Sequence, residues 1–193
     1  MITEDLYIKA YLAIDEVHAL DANKEIVDGV EFPAELLYSQ RMLKVLTEFA
    51  VDADYKMKLA AQCQHLERWA IARNLYPMDK KGYYQWRKAV LDYQIARMTE
   101  VLTRCGFTAN NIEQISDILQ NRGKKEHIEG QLLEDVACIV FIEWYLPAFA
   151  AKHDKEKVID IVKKTTKKIS EEGMAVILGR KLSKSVVEIL KQI

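Results

Sequence analysis

The 193-residue chain carries 29 acidic against 28 basic side chains and is half hydrophobic, the composition of a globular rather than a disordered chain. Charges that nearly cancel exclude a whole-molecule field drawing it onto nucleic acid or anionic lipid, so any such binding must come from a local patch. Cys63, Cys105 and Cys138 are widely separated and form no CxxC pair, which excludes a zinc clip or a disulfide framework.

At this length a single domain over residues 1–193 is expected, since no Gly- or Ser-rich linker divides the chain. The start at Thr3-Glu4-Asp5 has the wrong charge for a signal peptide. The longest strongly apolar run, Val136 to Ile142, falls far short of the roughly 18 residues a membrane span needs. No membrane partner and a cytoplasmic location are therefore expected.

Helical periodicity predicts an all-α fold, a compact multi-helix bundle. Leu6, Ala10, Ala13, Ile14 and Val17 stripe a first helix that Asp21-Ala-Asn23 stops. Pro33 opens a second, with Leu36, Leu37, Leu43, Leu46 and Phe49 inward. A third is predicted from about Asp54 to Asn74, ended by Tyr76-Pro77, and a fourth from about Lys81 to Cys105, stopped by Gly106. Thr108 can cap a fifth over Ile112–Leu119. The sixth and most hydrophobic runs from about Ile128 to Tyr145, with Pro147 bending or ending it. Its β-branched stretch Val136–Ile142 is read as helix because no second strand-like run could pair with it. Asp154 caps a seventh, carrying Val158, Ile161, Val162, Thr165 and Ile169, and a short last helix follows Ser183.

The third predicted helix has two faces. Leu59, Cys63, Leu66 and Ala70 make a core stripe, while His65, Arg68, Trp69 and Arg73 fall within an arc of about 140° at 100° per residue. Such a helix suits the wall of a pocket; a buried histidine bonded to a carbonyl, with a structural arginine ion pair, is the alternative. From His65 to Lys88 there are six Lys or Arg against two acids, interleaved with Trp69, Tyr76, Tyr83, Tyr84 and Trp86. Arginine forks recognise phosphate or carboxylate and aromatic faces stack on bases, so this segment suits a nucleotide or single-stranded RNA. Arg68, Arg73 and Arg87 are the candidate anion ligands, Trp69 and Tyr83 the candidate stacking residues.

Glu134 and Asp135 sit among apolar residues of the sixth helix, where a carboxylate must find a partner or lose its charge. A salt bridge to Arg68 or Arg87 is one outcome. If unpaired, they join His65 as candidate acid/base residues, and His65 with Asp135 as the candidates for a divalent metal. Lys163, Lys164, Lys167 and Lys168 read as a solvated basic face, with phosphate binding as the lesser alternative. P-loop, GxGxxG, HExxH and GxSxG motifs are missing, which leaves ATPase, dinucleotide oxidoreductase, zinc protease and α/β-hydrolase readings without support.

Several strings together carry a resemblance: Asp21-Ala-Asn23, Pro33-Ala-Glu-Leu-Leu-Tyr-Ser-Gln-Arg-Met42, Ala60-Ala-Gln-Cys-Gln-His-Leu-Glu-Arg-Trp69, Gly82-Tyr83, Trp86-Arg87 and Gln131-Leu-Leu-Glu-Asp-Val-Ala-Cys138. With Phe149, His153 and Lys167-Lys-Ile-Ser170 they cover nearly the whole chain in order. The chain resembles the DUF4202 proteins of bacteria and fungi, a family without a settled activity. It departs from the family pattern at Ala72, usually proline, and at Gln94, often histidine.

That pattern is loosely similar to degenerate HD-domain phosphohydrolases. The resemblance implies a cavity lined by Glu35, Tyr38, Arg41, His65, Gln94 and Asp135, but HD enzymes hold their metal on adjacent His and Asp, and here Leu66 follows His65. A glutamyl-tRNA synthetase label sometimes given to the family is rejected, because no alternation of strands and helices supports a nucleotide-binding sheet. Two functional expectations follow. One is an HD-like pocket for a phosphorylated small molecule or nucleotide, metal-dependent if it is a phosphohydrolase. The other is a non-enzymatic RNA- or protein-binding module using residues 65–88.

Overall fold

The computed structural model describes residues 2–192. Its elements are α1 (Glu4–Ala19), β1 (Lys24–Val27), β2 (Val30–Pro33), α2 (Ala34–Phe49), α3 (Tyr55–Cys63), α4 (Lys80–Cys105), α5 (Ala109–Gln120), α6 (Ile128–Val140), α7 (Leu146–Lys152), α8 (Lys155–Thr166), α9 (Glu171–Gly179) and α10 (Lys184–Leu190). The all-α expectation holds, with one small hairpin added. No helix among the described residues is long and apolar enough to cross a membrane.

Local chemistry explains most boundaries. Thr3, Asp54, Asp79, Thr108, Asp154, Ser170 and Ser183 each accept a backbone N–H of the first turn that follows, each such cap stabilising a helix by about 1 kcal/mol. Gly106, at φ +101°, closes α4 in the left-handed conformation that glycine adopts without penalty. One side chain from each of the first six helices, Ile14, Leu46, Leu59, Leu102, Ile115 and Ile139, is fully buried in a shared apolar cluster. Each such burial contributes roughly 1.5–3 kcal/mol.

The hairpin was not expected. Lys24–Val27 pairs antiparallel with Val30–Pro33, and the turn residues Asp28 and Gly29 both have positive φ, 51° and 79°. Asp-Gly between alternating apolar residues is the strongest short hairpin signal, and it was present in the sequence. Asp21, fully buried, clamps the hairpin base. One carboxylate oxygen accepts the Asn23 backbone and side-chain N–H groups, and the other accepts the Glu35 N–H at 3.0 Å. Glu35 is thereby held in the first turn of α2.

The third helix is shorter than predicted. It ends at Cys63, and residues 64–75 continue as tight turns with two short 3-10 segments. Glu67 breaks the helical path in a left-handed conformation, φ 48°. Its carboxylate is held by Tyr93 Oη at 3.0 Å and Arg97 Nε at 2.8 Å, so a contact from α4 overrides the local helical preference.

The sixth helix, by contrast, runs on. Residues Phe141–Tyr145 form a π turn, in which Leu146 N–H bonds back to the Phe141 carbonyl, and α7 follows directly with Pro147 in its first turn. Proline lacks an N–H and crowds the carbonyl four residues back, and widening the preceding turn relieves that crowding. Helix α9 was also missed, although Ser170-Glu171-Glu172 is a capped acidic start. Lys167-Lys-Ile-Ser170 therefore lies in the turn between α8 and α9, not inside a helix.

Candidate functional site

One cleft of about 620 Å³ gathers residues from β1, α2, the turns after α3, α4, α5, α6 and the end of α8. Glu35 and Tyr38 come from α2, Gln64, His65 and Arg68 from the turns after α3, and Tyr83, Trp86, Arg87 and Gln94 from α4. Arg122 follows α5, Glu134 and Cys138 lie on α6, Phe141 and Tyr145 on the π turn, and Lys168 follows α8.

His65 is the best-held side chain in it. Its Nδ1 lies 3.0 Å from Glu35 Oε2, and its ring stacks on Tyr38 with centroids 4.0 Å apart and planes 12° from parallel. On the other side, Nε2 faces Arg68 Nη1 at 3.5 Å. A guanidinium can only donate, so this contact favours the tautomer with the proton on Nδ1, shared with Glu35, and a lone pair on Nε2. Burial, followed by the Arg68 and Arg122 charges, holds the imidazole well below its ordinary value. Burial also pushes the Glu35 carboxyl up to about 7, with Arg68 pulling the other way.

Two further acids resolve differently from expectation. Glu134 pairs with neither Arg68 nor Arg87. Arg122 Nε donates to its Oε2 at 2.6 Å, and Lys168 Nζ lies 3.4 Å from Oε1. Burial alone would push this carboxyl up, but those two cations outweigh it and hold it below the usual range. Asp135 is not among the residues lining the cleft. It is spent on structure, accepting the Ser170 N–H at 2.8 Å, the Ser170 hydroxyl at 2.6 Å and the Gln131 side-chain amide at 2.8 Å. It ties α6 to the start of α9.

Trp69 and Arg73 also fall outside the lining, because the helix that would have carried them on the His65 face stops at Cys63. Arg73 donates to the Tyr76 carbonyl at 3.0 Å and packs over Trp86 and Tyr83. Tyr83 lines the cleft rim. Trp86 donates its indole N–H to the Ile71 carbonyl at 2.9 Å, and Arg68 sits 5.2 Å above its ring. Arg41 has turned to Glu25 at 2.6 Å and lies over Trp144 and Tyr145.

The cleft is electropositive in a specific way. Lys88 is matched by Asp92 and Arg122 by Glu134, whereas Arg87 has no acidic partner among the described residues, Arg68 reaches only His65 and the Trp86 ring, and Lys168 shares Glu134 with Arg122. Arg122 carries no assignment in the sequence, Lys168 reads there as part of a basic helix face, and Glu35 enters only through the family resemblance. The Lys167-Lys-Ile-Ser170 turn was legible only if Ser170 was recognised as a cap.

A divalent metal finds no matching donors. No group of three or more His, Cys, Asp or Glu among the described residues is arranged to hold one, and His65 and Asp135 are committed to different networks. Gln94, 4% exposed, supplies an amide rather than an imidazole to the cleft. The residues do not fit the HD metal site that the resemblance implied.

The sequence matches the model of DUF4202, a domain of unknown function, over residues 8–190. The chain belongs to the DUF4202 family. No curated protein and no solved structure matches it.

Proposed function

We propose that the cleft binds a phosphorylated small molecule or a nucleotide. The carrying observation is that Arg68 and Arg87 reach one cleft from separate chain segments with no salt bridge to a carboxylate among the described residues, joined there by Lys168, which shares Glu134 with Arg122. Two guanidinium forks and an ammonium match the oxygens of one or two phosphoryl groups, and charge-assisted bonds of this kind are the strong ones. The volume is within the range of small-ligand sites. Because the HD metal ligands are missing, the proposal does not include metal-dependent phosphohydrolysis.

Titration calorimetry with pyrophosphate and a panel of nucleoside mono- and diphosphates tests it. Saturable binding that weakens with salt is expected, and absence of binding by every phosphate compound would sink the reading.

The RNA reading of residues 65–88 draws support from Tyr83 and Tyr84, which are exposed beside Lys80 and Lys81. It is the weaker of the two. Trp86 is buried with its N–H engaged, and Arg68 and Arg73 already lie over its ring, so the largest stacking surface is occupied.

A further inference from the structure

We propose that His65 is a phosphoryl-accepting nucleophile, so that the cleft transfers phosphate through a covalent histidine intermediate without a metal. This rests on the phosphate-binding reading above and deepens it. A nucleophilic imidazole needs one nitrogen fixed as an N–H donor, the other carrying a free lone pair, and cations placed around the incoming phosphoryl group. His65 meets the first and third, and meets the second once Arg68, whose Nη1 points at Nε2 across a long 3.5 Å contact, turns its fork to the incoming phosphate. Glu35, 3.0 Å from Nδ1, fixes the tautomer, and Tyr38 stacked at 4.0 Å fixes the ring plane. Nε2 faces Arg68 at 3.5 Å, so a phosphate forked by that guanidinium has its phosphorus beside the lone pair.

General-base chemistry is the competing use of a histidine, and it is served by an imidazole that titrates near the working pH. Burial, and then the cations around it, oppose protonation of His65, which leaves the neutral ring available for attack.

In the step, the Nε2 lone pair attacks phosphorus of a phosphomonoester or mixed anhydride. The N–P bond forms as the P–O bond to the leaving group breaks, and the leaving oxygen takes a proton from water where its basicity requires one. Positive charge developing on the ring is balanced by Glu35 through Nδ1–H. Water then attacks phosphorus, leaving one proton on phosphate and releasing the other to solvent, where it replaces any proton the leaving oxygen took; the N–P bond breaks, inorganic phosphate leaves, and the ring returns to its starting state. Overall, one P–O bond is hydrolysed. Glu35 is a positioning residue here, because it acts through the imidazole.

The experiment incubates the full chain with acetyl phosphate at neutral pH and reads the intact mass, with pyrophosphate binding measured in parallel. One phosphoryl adduct is expected, stable in alkali and lost in mild acid, as N-linked phosphate is, and peptide mapping of the unsubstituted protein should place it on His65. His65→Gln should abolish it. Glu35→Gln should slow its formation at least about 100-fold, as loss of a tautomer-fixing carboxylate does, and should change the pH profile of the rate without weakening pyrophosphate binding, since it removes a negative charge from beside Arg68. Pyrophosphate binding with no adduct, or an adduct on another residue, overturns the nucleophile and leaves the binding site standing. Failure to bind pyrophosphate overturns both. Because mapping uses the unsubstituted chain, the test survives a His65 variant that fails to fold.

Discussion

Glu35 and His65, thirty positions apart in the chain, meet at 3.0 Å, with Tyr38 stacked on the imidazole. The pair depends on two independent devices. Asp21 holds the first turn of α2 by accepting the Glu35 N–H, and the end of α3 at Cys63 turns the following residues toward it.

This pair gives stability two opposing pH slopes. The Glu35 value is raised from 4.5 to about 7, so its contribution is fully present below pH 4.5 and is lost as pH rises through about 7. The His65 value is lowered from 6.5, so its contribution is present above 6.5 and is lost as pH falls through the lower folded value. Urea denaturation of Glu35→Gln from pH 4.5 to 8 should remove the first slope. The variant should gain stability relative to the parent as pH rises, and parallel curves would refute the assignment.

Anion affinity should follow the same group. As Glu35 ionises above about pH 7 it places a negative charge beside Arg68, so sulfate, whose own charge is constant across this range, should bind more weakly at pH 8 than at pH 6. Glu35→Gln should flatten that dependence. Calorimetry at the two pH values decides it.

The arginines should separate into two kinds. Arg87→Ala removes an exposed cation with no acidic partner, so pyrophosphate affinity should fall at least about tenfold, the equivalent of one charge-assisted bond, with the melting temperature unchanged. Arg73→Ala breaks bonds to the Tyr76 and Asp79 carbonyls, so it should lower the melting temperature and leave affinity near the parent value.

The neighbouring acids Glu134 and Asp135 should also part company. Glu134→Ala strands the Arg122 guanidinium in the cleft wall and should cost about 3 kcal/mol. Asp135→Ala leaves the Ser170 N–H and hydroxyl without their acceptor and should cost about 2 kcal/mol with no effect on pyrophosphate binding. Gly173→Ala should be destabilising for a related reason, since a Cβ there would lie 2.9 Å from Asp135 Cγ and 2.8 Å from Ile169 Cγ2. Chemical denaturation with calorimetry of each variant checks all three.

Helices whose signals are local were legible in the sequence. Thr108, Asp154, Ser183 and Gly106 mark their boundaries, and the apolar stripe of α1 faces inward. Asp28-Gly29 and Ser170-Glu-Glu172 were equally local and were passed over, which cost the hairpin and α9. The end of α3 had no such marker. No glycine or proline stands between Gln64 and Glu67, and the break is imposed by Tyr93 and Arg97 from another helix. Of the candidate site, the sequence brought His65, Arg68, Arg87, Tyr83 and Glu134 to one cleft. It could not reveal that Arg122 and Lys168 meet Glu134, because pairing across 12 and 34 residues leaves no periodic trace.

The π turn at Phe141–Tyr145 makes residue count, as well as residue type, a determinant of the cleft. One residue more or fewer there would rotate everything beyond it by about 100° and shift it by about 1.5 Å along the axis. Tyr145 would leave the wall, and the chain that delivers Thr165 and Lys168 would set out in another direction. The stretch acts as a length gauge: a single-residue deletion should do more to the pocket than most side-chain exchanges within it, while leaving the helix itself unbroken.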